Sequence, residues 1–374
     1  MAQSSRAPVA LGIPVVPSGT GAAGTAGRGV LDRPDSPVLV DRYRRTARDL
    51  RVSLTDRCNL RCQYCMPAEG LDWAPTSTLL DDDEMIRCVQ VAVEQLGVRE
   101  IRFTGGEPLL RKGLEKIIAA TVALLTDEGI APAISLTTNG LGLAHRAGGL
   151  ARAGLSRVNV SLDSVDRATY AEITRRDRLP EVLAGIEAAA DAGMAPIKIN
   201  AVLMRGKNDE QATELLSYAL KGGYELRFIE QMPLGPHDAW NREQMISAEE
   251  ILSMLRKKFI LTPTDAAERG SAPAQRWHVL GHDESRLGSV GIISAVTDNF
   301  CGACDRTRLT ADGQVRTCLF ATSEHDIRTP LRSGASDAEL AQIWRAAHWG
   351  KLAGHGIDDP TFLQPKRLMS AIGG

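Results

Sequence analysis

What most constrains the fold of this 374-residue chain is an alternation. Six short apolar strands between residues 49 and 230 are separated by five amphipathic stretches of helical period. The strands read 49–54 (DLRVSL), 99–103 (REIRF), 133–138 (AISLTT), 157–162 (RVNVSL), 197–202 (IKINAV) and 225–230 (ELRFIE); the helices span 83–97, 113–129, 144–153, 180–192 and 208–221. Strands that recur after each helix build a parallel sheet with helices outside. Eight such units close a (β/α)8 barrel, so six predict an α/β fold, a partial (β/α)6 TIM-like barrel. The pattern changes near 245. Ser247 and Glu250 have capping-box spacing before a helix. Short strands over 288–296, a hairpin over 306–320 and a helix over 337–350 follow. They predict a smaller C-terminal α+β region that closes the barrel. Residues 1–43 are rich in Gly, Ala, Pro and Ser without periodicity and read as a disordered extension. The expected division is 1–43, 44–245 and 246–374.

Net charge is −2, so no global field draws the chain to nucleic acid or an anionic membrane. No apolar run approaches the roughly 20 residues of a membrane-spanning helix. No basic start followed by an apolar core marks a secretory signal. The seven cysteines are odd in number and fall mostly into two distant groups, a poor disulfide framework and a good metal pattern. A reducing, cytoplasmic setting is the expectation.

Cys58-x3-Cys62-x2-Cys65 follows the first strand, in the loop at its C-terminal end, where barrel folds carry their active sites. Three thiolates are one short of the set that completes a 4Fe-4S cluster, which leaves one iron free to bind a ligand. A structural zinc site wants four closed ligands, and no fourth Cys or His lies nearby. The second strand runs into Thr104-Gly105-Gly106-Glu107-Pro108, whose glycines allow close backbone approach. Cys301-x2-Cys304-x13-Cys318 again offers three thiolates; read alone, that spacing is a weaker signal and points first to zinc. Arg51, Arg102 and Lys198 interrupt otherwise apolar strands. Pointing inward, each would need an anion, because an unpaired buried charge is costly. Arg306 and Arg308, two apart on a strand, share a face, and a guanidinium fork suits phosphate.

DRCNLRCQYCMP resembles the CxxxCxxC signature of the radical S-adenosylmethionine (SAM) enzymes, with Tyr64 before the last cysteine. With IRFTGGEPLLR, TTNG, NVSLDS, LRFIE, CGACDRTRLTADG and the terminal MSAIGG, residues 44–374 resemble the GTP 3′,8-cyclase family (the molybdenum cofactor biosynthesis protein A family). The resemblance implies a 4Fe-4S cluster on Cys58, Cys62 and Cys65 whose open iron chelates SAM. One electron then yields methionine and a 5′-deoxyadenosyl radical. It implies SAM contacts at Tyr64, Gly106, Glu107, Ser161 and Met232, Glu107 receiving the amino group. It implies a second 4Fe-4S cluster on Cys301, Cys304 and Cys318 that binds the guanine of GTP. Arg51, Arg102, Thr137, Lys198, Arg306, Thr307 and Arg308 would contact GTP, Thr307 standing where relatives commonly carry Leu. Gly373 and Gly374 would reach into the active site and be needed for activity. The product would be (8S)-3′,8-cyclo-7,8-dihydroguanosine 5′-triphosphate, the first intermediate toward molybdenum cofactor. The partners would be a one-electron donor and the downstream cyclic pyranopterin monophosphate synthase, with no nucleic acid and no membrane, for a monomer or homodimer. The alternative is a radical SAM peptide-modifying enzyme with an auxiliary cluster; such enzymes usually carry more C-terminal cysteines.

Overall fold

The computed structural model describes residues 33–236, 240–265, 269–281, 283–360 and 362–373. From Asp35 onward they form one compact body. Its strands are β1 (Asp49–Ser53), β2 (Glu100–Thr104), β3 (Ala133–Thr138), β4 (Val158–Ser161), β5 (Ile197–Val202), β6 (Glu225–Ile229), β7 (Ile260–Pro263), β8 (Gln275–Leu280), β9 (Arg286–Ile293), β10 (Arg306–Leu309), β11 (Gln314–Arg316) and β12 (His325–Asp326). The helices are α1 (Asp82–Leu96), α2 (Leu114–Val122), α3 (Leu143–Arg152), α4 (Arg167–Thr174), α5 (Leu179–Asp191), α6 (Ala212–Lys221), α7 (Ala248–Arg256), α8 (Arg328–Arg332), α9 (Asp337–Trp349) and α10 (Met369–Ile372).

The strands pair in the order β12-β11-β10-β1-β2-β3-β4-β5-β6-β9-β8-β7. β1 to β6 are parallel neighbours, as the alternation predicts. The C-terminal region continues the parallel run at both edges: β10 lies beside β1 and β9 beside β6. Antiparallel β11–β12 and β8–β7 then finish the two sides. The fold is therefore a partial barrel, and residues after 245 widen the same sheet.

Alternation within strands decides which face meets the helices. In β5, Ile197, Ile199 and Ala201 are buried, while Lys198, Asn200 and Val202 face the other way. Leu50 and Val52 of β1 join the same apolar layer as Met85, Val89 and Val93 of α1. The Asp81–Glu84 capping box starts α1 and left-handed Gly97 ends it, where a side chain would be strained. The Ser247–Glu250 box likewise starts α7.

Three local readings need correction. α2 stops at Val122, short of the expected 129. The segment beyond it closes a turn through Thr126 onto Ile130 O, and Asp127 and Glu128 pair with Arg99. α4 escaped notice because its eight residues bury only Tyr170, Ile173 and Thr174, too few for a visible period. The expected extension to residue 43 ends earlier than composition suggests: Leu39 is 0% exposed, and Val40 bridges to Thr46. Residues 1–32 of that expected extension lie outside the described residues.

Candidate active site

The inward face of the parallel strands encloses a cavity of about 260 Å3. Arg51 of β1, Arg102 of β2, Thr137 of β3, Ser161 of β4, and Arg306 and Arg308 of β10 all line it, together with Tyr64, Met232, Cys301, Cys304 and Cys318. Lys198 sits two residues before lining Asn200 on the same face of β5 and pairs with Glu225 at 3.6 Å. Thr307 does not join them. It points to the opposite face of β10, is 0% exposed, and accepts a hydrogen bond from Trp344 Nε1 at 2.9 Å. Alternation makes this unavoidable once Arg306 and Arg308 face inward.

Strand direction separates the two cysteine triads. The Cys58–Cys65 loop leaves the C-terminal end of β1. Cys304 lies two residues before β10, which runs parallel to β1 with Arg306 opposite Asp49. Cys301 and Cys304 therefore sit at the N-terminal end of the strands. Cys318 comes two residues after Arg316 on antiparallel β11, at that same end. One triad is at each mouth, and the cationic side chains lie between.

At the C-terminal mouth, Gly106 N donates to Thr55 O at 2.7 Å and Glu107 N to Arg57 O at 2.7 Å, fastening the Gly-Gly turn to the start of the cysteine loop. A Cβ on Gly106 would stand 2.5 Å from Asp56 O, so this approach requires glycine. Glu107 is turned away from the cavity. Its carboxylate accepts from Thr138 Oγ1 at 2.7 Å, Leu109 N at 2.9 Å and Asn139 N at 2.7 Å, tying GGEP to TTNG. Burial raises this carboxyl to about 7 despite the three donors. Sequence reading missed Asp163 of NVSLDS. It accepts from Tyr64 OH at 2.9 Å and Val202 N at 2.9 Å, and burial raises it to about 6.

The thiols of the first triad are close enough to feel one another's charge. Burial, reinforced by Cys58, pushes Cys65 up to about 12, and burial, Asp163, Cys65 and Cys58 push Cys62 well above the usual thiol range. Such groups become thiolates only against a strong Lewis acid. Among the described residues no three Cys, His or acidic side chains converge to clasp one ion. A four-iron cluster offers each thiolate its own iron, so convergence on a point is not required. The donor set fits an iron-sulfur cluster at each triad. In the second triad burial raises Cys304, but Lys351 and Arg306 outweigh it and hold the thiol below its usual range.

Between the mouths, Arg308, Arg51 and Arg102 are opposite one another on three adjacent strands. Burial and then the Arg51 charge depress both Arg102 and Arg308 to about 9. Burial raises Asp49, but Arg51, Arg102 and Arg306 outweigh it and hold it at about 2. Burial and Arg227 lower Lys198 to about 8. Arg227 also lines the cavity. The pattern that marks Arg51 was present in LRFIE, where Arg227 alternates with Leu226 and Phe228, and could have found it.

The C-terminal tail enters this space. Met369 N donates to Leu234 O at 3.0 Å, Ile372 is 0% exposed, and Arg308 Nη1 donates to Gly373 O. Gly373 has φ +72, and a Cβ there would stand 2.5 Å from Ser53 Oγ and 2.6 Å from Thr104 Cγ2. Gly374 lies outside the described residues.

The sequence model of the Radical SAM superfamily matches residues 52–219, and that of Molybdenum Cofactor Synthesis C matches residues 224–357. A GTP 3′,8-cyclase of Corynebacterium glutamicum is 59% identical over 338 residues, covering 90% of this chain and 89% of the relative. The Mycolicibacterium smegmatis protein of that name is 56% identical over 365 residues, 98% of this chain and 99% of its own. Among solved structures, Streptococcus suis SuiB bound to S-adenosylmethionine superposes with a TM-score of 0.55 at 13% identity, covering 81% of this chain and 69% of its own, which shows a shared fold. Identity this high over nearly the whole length settles membership: the chain belongs to the GTP 3′,8-cyclase family.

Proposed function

We propose that the protein converts GTP to (8S)-3′,8-cyclo-7,8-dihydroguanosine 5′-triphosphate, the first step of molybdenum cofactor biosynthesis, using SAM and two 4Fe-4S clusters. The observation that carries this reading is the in-register row Arg308–Arg51–Arg102, facing a cavity lined by Cys301, Cys304 and Cys318 and by Tyr64 of the first cysteine loop. Asp49 pairs with Arg51 at 3.0 Å and answers only part of this charge; the three guanidiniums side by side still repel one another, and a polyphosphate between them would turn that repulsion into charge-assisted hydrogen bonds.

Cys58, Cys62 and Cys65 would hold the cluster that presents SAM, and Cys301, Cys304 and Cys318 the one that presents the guanine. The chemistry supplied at the first triad by SAM and a reduced cluster would be hydrogen abstraction from the ribose 3′ position. Tyr64, Ser161 and Met232 line the cavity beside the first triad and would orient SAM. Glu107 would act through the turn it braces. Arg51, Arg102, Arg227, Arg306, Arg308 and Lys198 would hold the triphosphate, with Thr137 beside it. Thr307 would serve through its backbone alone. Arg308 links this set to Gly373, and Ser370 N–H reaches Cys65, so the tail would order the cavity between the cationic row and the first triad. GTP loses one hydrogen atom and regains an electron and a proton, so the product has the mass of GTP. The electron comes from a one-electron donor, and the product passes to an enzyme that rearranges it toward the pyranopterin. No helix among the described residues is long and apolar enough to cross a membrane; clusters with an open iron fit a reducing cytoplasm.

The test is anaerobic. Reconstituted protein reduced with dithionite and given SAM and GTP should form 5′-deoxyadenosine in proportion to a cyclised triphosphate of unchanged mass. Deoxyadenosine formed equally without GTP would overturn the substrate and turn attention to peptides.

A further inference from the structure

Lys351, just past the end of α9, is 3% exposed. Its ammonium has three donors, and each has a partner: Arg306 O at 2.7 Å, Cys304 O at 3.2 Å and Cys304 Sγ at 3.3 Å. Burying an ammonium is costly without a counter-charge, and no carboxylate pairs with it among the described residues. The neighbouring cation Arg45 is different. It is paired with buried Asp41 at 2.6 Å, and its remaining donors fasten the Cys301 and Ala353 carbonyls at 2.7 Å. His348 beside Lys351 is fully buried, and burial and then Lys351 drive it down to about 3, so it stays neutral. The negative charge that faces Lys351 is therefore the sulfur of Cys304 as a cluster-bound thiolate.

In the first triad no cation hydrogen-bonds a sulfur among the described residues, although the Arg61 charge reaches Cys58. Its sulfurs receive neutral donors, the Asn139 side chain at 3.8 Å from Cys58 and the Ser370 backbone N–H on Cys65, while Asp163 adds negative charge. Hydrogen bonds to cluster sulfurs and local net charge are levers that set a cluster's potential.

We propose that Lys351 is a positioning residue that raises the reduction potential of the second cluster, so that this cluster accepts an electron more readily than the first. This rests on the two-cluster reading above. In the step concerned, an external one-electron reductant is oxidised and the cluster goes from the 2+ to the 1+ state, with no bond formed or broken. The ammonium stabilises the added negative charge through the Cys304 sulfur.

The experiment is a potentiometric titration followed by electron paramagnetic resonance, on full-length protein carrying both clusters, with iron counted in each sample. Wild-type protein comes first: only about four irons per chain would reject the two-cluster reading and leave nothing for Lys351 to tune. Lys351→Gln keeps a donor without the charge, Lys351→Met removes both, and Lys351→Arg keeps the charge. The Gln and Met variants should lower the reduced-to-oxidised ratio of the second cluster about tenfold at fixed potential, equal to about 59 mV for one electron. The first cluster should not move, and Arg should restore most of the shift. An unchanged second-cluster potential in the Gln and Met variants, with iron retained, would overturn the proposal. Loss of the second cluster from every variant, Arg included, would also overturn it, because Lys351 would then only build the loop.

Discussion

The two cysteine triads have the same composition and different surroundings, although burial raises Cys301 as it raises the thiols of the first triad. The Cys58–Cys65 loop hangs on the C-terminal ends of the strands, braced by Glu107 and Asp163, and its inner thiols are pushed up by burial and negative neighbours. The Cys301–Cys318 set occupies the other mouth beside Lys351 and Arg306, and Cys304 is held down. Ligand type alone does not assign a role to either site. The charge around the sulfurs supports the proposed division: a triad with no cation on its sulfurs would suit the cationic sulfonium of SAM, and a basic setting would suit a cluster beside a triphosphate.

The largest expected effect separates the two. Replacing Cys58, Cys62 and Cys65 with Ala should remove about four of about eight irons and bring deoxyadenosine formation below detection. The same change at Cys301, Cys304 and Cys318 should remove as much iron and abolish the cyclised product while leaving slow, GTP-independent SAM cleavage. Iron analysis and product chromatography read both. If the second set of changes also stopped SAM cleavage, the triads would not be separate in function.

Arg102→Met sharpens the contrast next. Loss of one charge-assisted contact should weaken GTP binding about 10- to 100-fold by calorimetry and leave SAM binding unchanged. The pH dependence should be smaller. Lys198 is lowered to about 8 in the free protein, while the guanidiniums keep their charge. A polyanion raises Lys198, so its protonated form is the binding form. GTP affinity should fall as pH rises above 8, and Lys198→Met should remove that fall. The smallest effect concerns Thr307→Val. It strands the buried Trp344 N–H and should cost about 1–3 kcal/mol of stability in denaturant unfolding, with GTP affinity unaltered.

Period-2 and period-3.6 patterns made the six central strands and their helices legible, because each strand presents an apolar face to a helix layer. The same alternation marked Arg51, Arg102, Lys198, Arg306 and Arg308 as inward. The motif position of Thr307 does not show which way its side chain points; the alternation turns it toward Trp344 and leaves its backbone for the role the motif gives it. Glu107 is similar: the motif names the residue, while hydrogen-bond partners decide which way its side chain points. Lys351 was invisible. It lies in WGKLAGHG, which has no periodicity, and its role depends on α9 carrying it to β10, a contact 45 residues from Arg306 in sequence. The join of β9 and β10 to the two edges of the parallel run was equally unreadable, since nothing local encodes which strand a distant one will pair with.

The most direct test of the account is which cluster each small molecule touches. Electron paramagnetic resonance spectra of the reduced clusters would be recorded in each triple-Ala protein, which keeps one triad, with SAM or GTP added. The account predicts that SAM perturbs only the cluster on Cys58, Cys62 and Cys65, and GTP only the cluster on Cys301, Cys304 and Cys318. A GTP response at the first cluster, with none at the second, would contradict it.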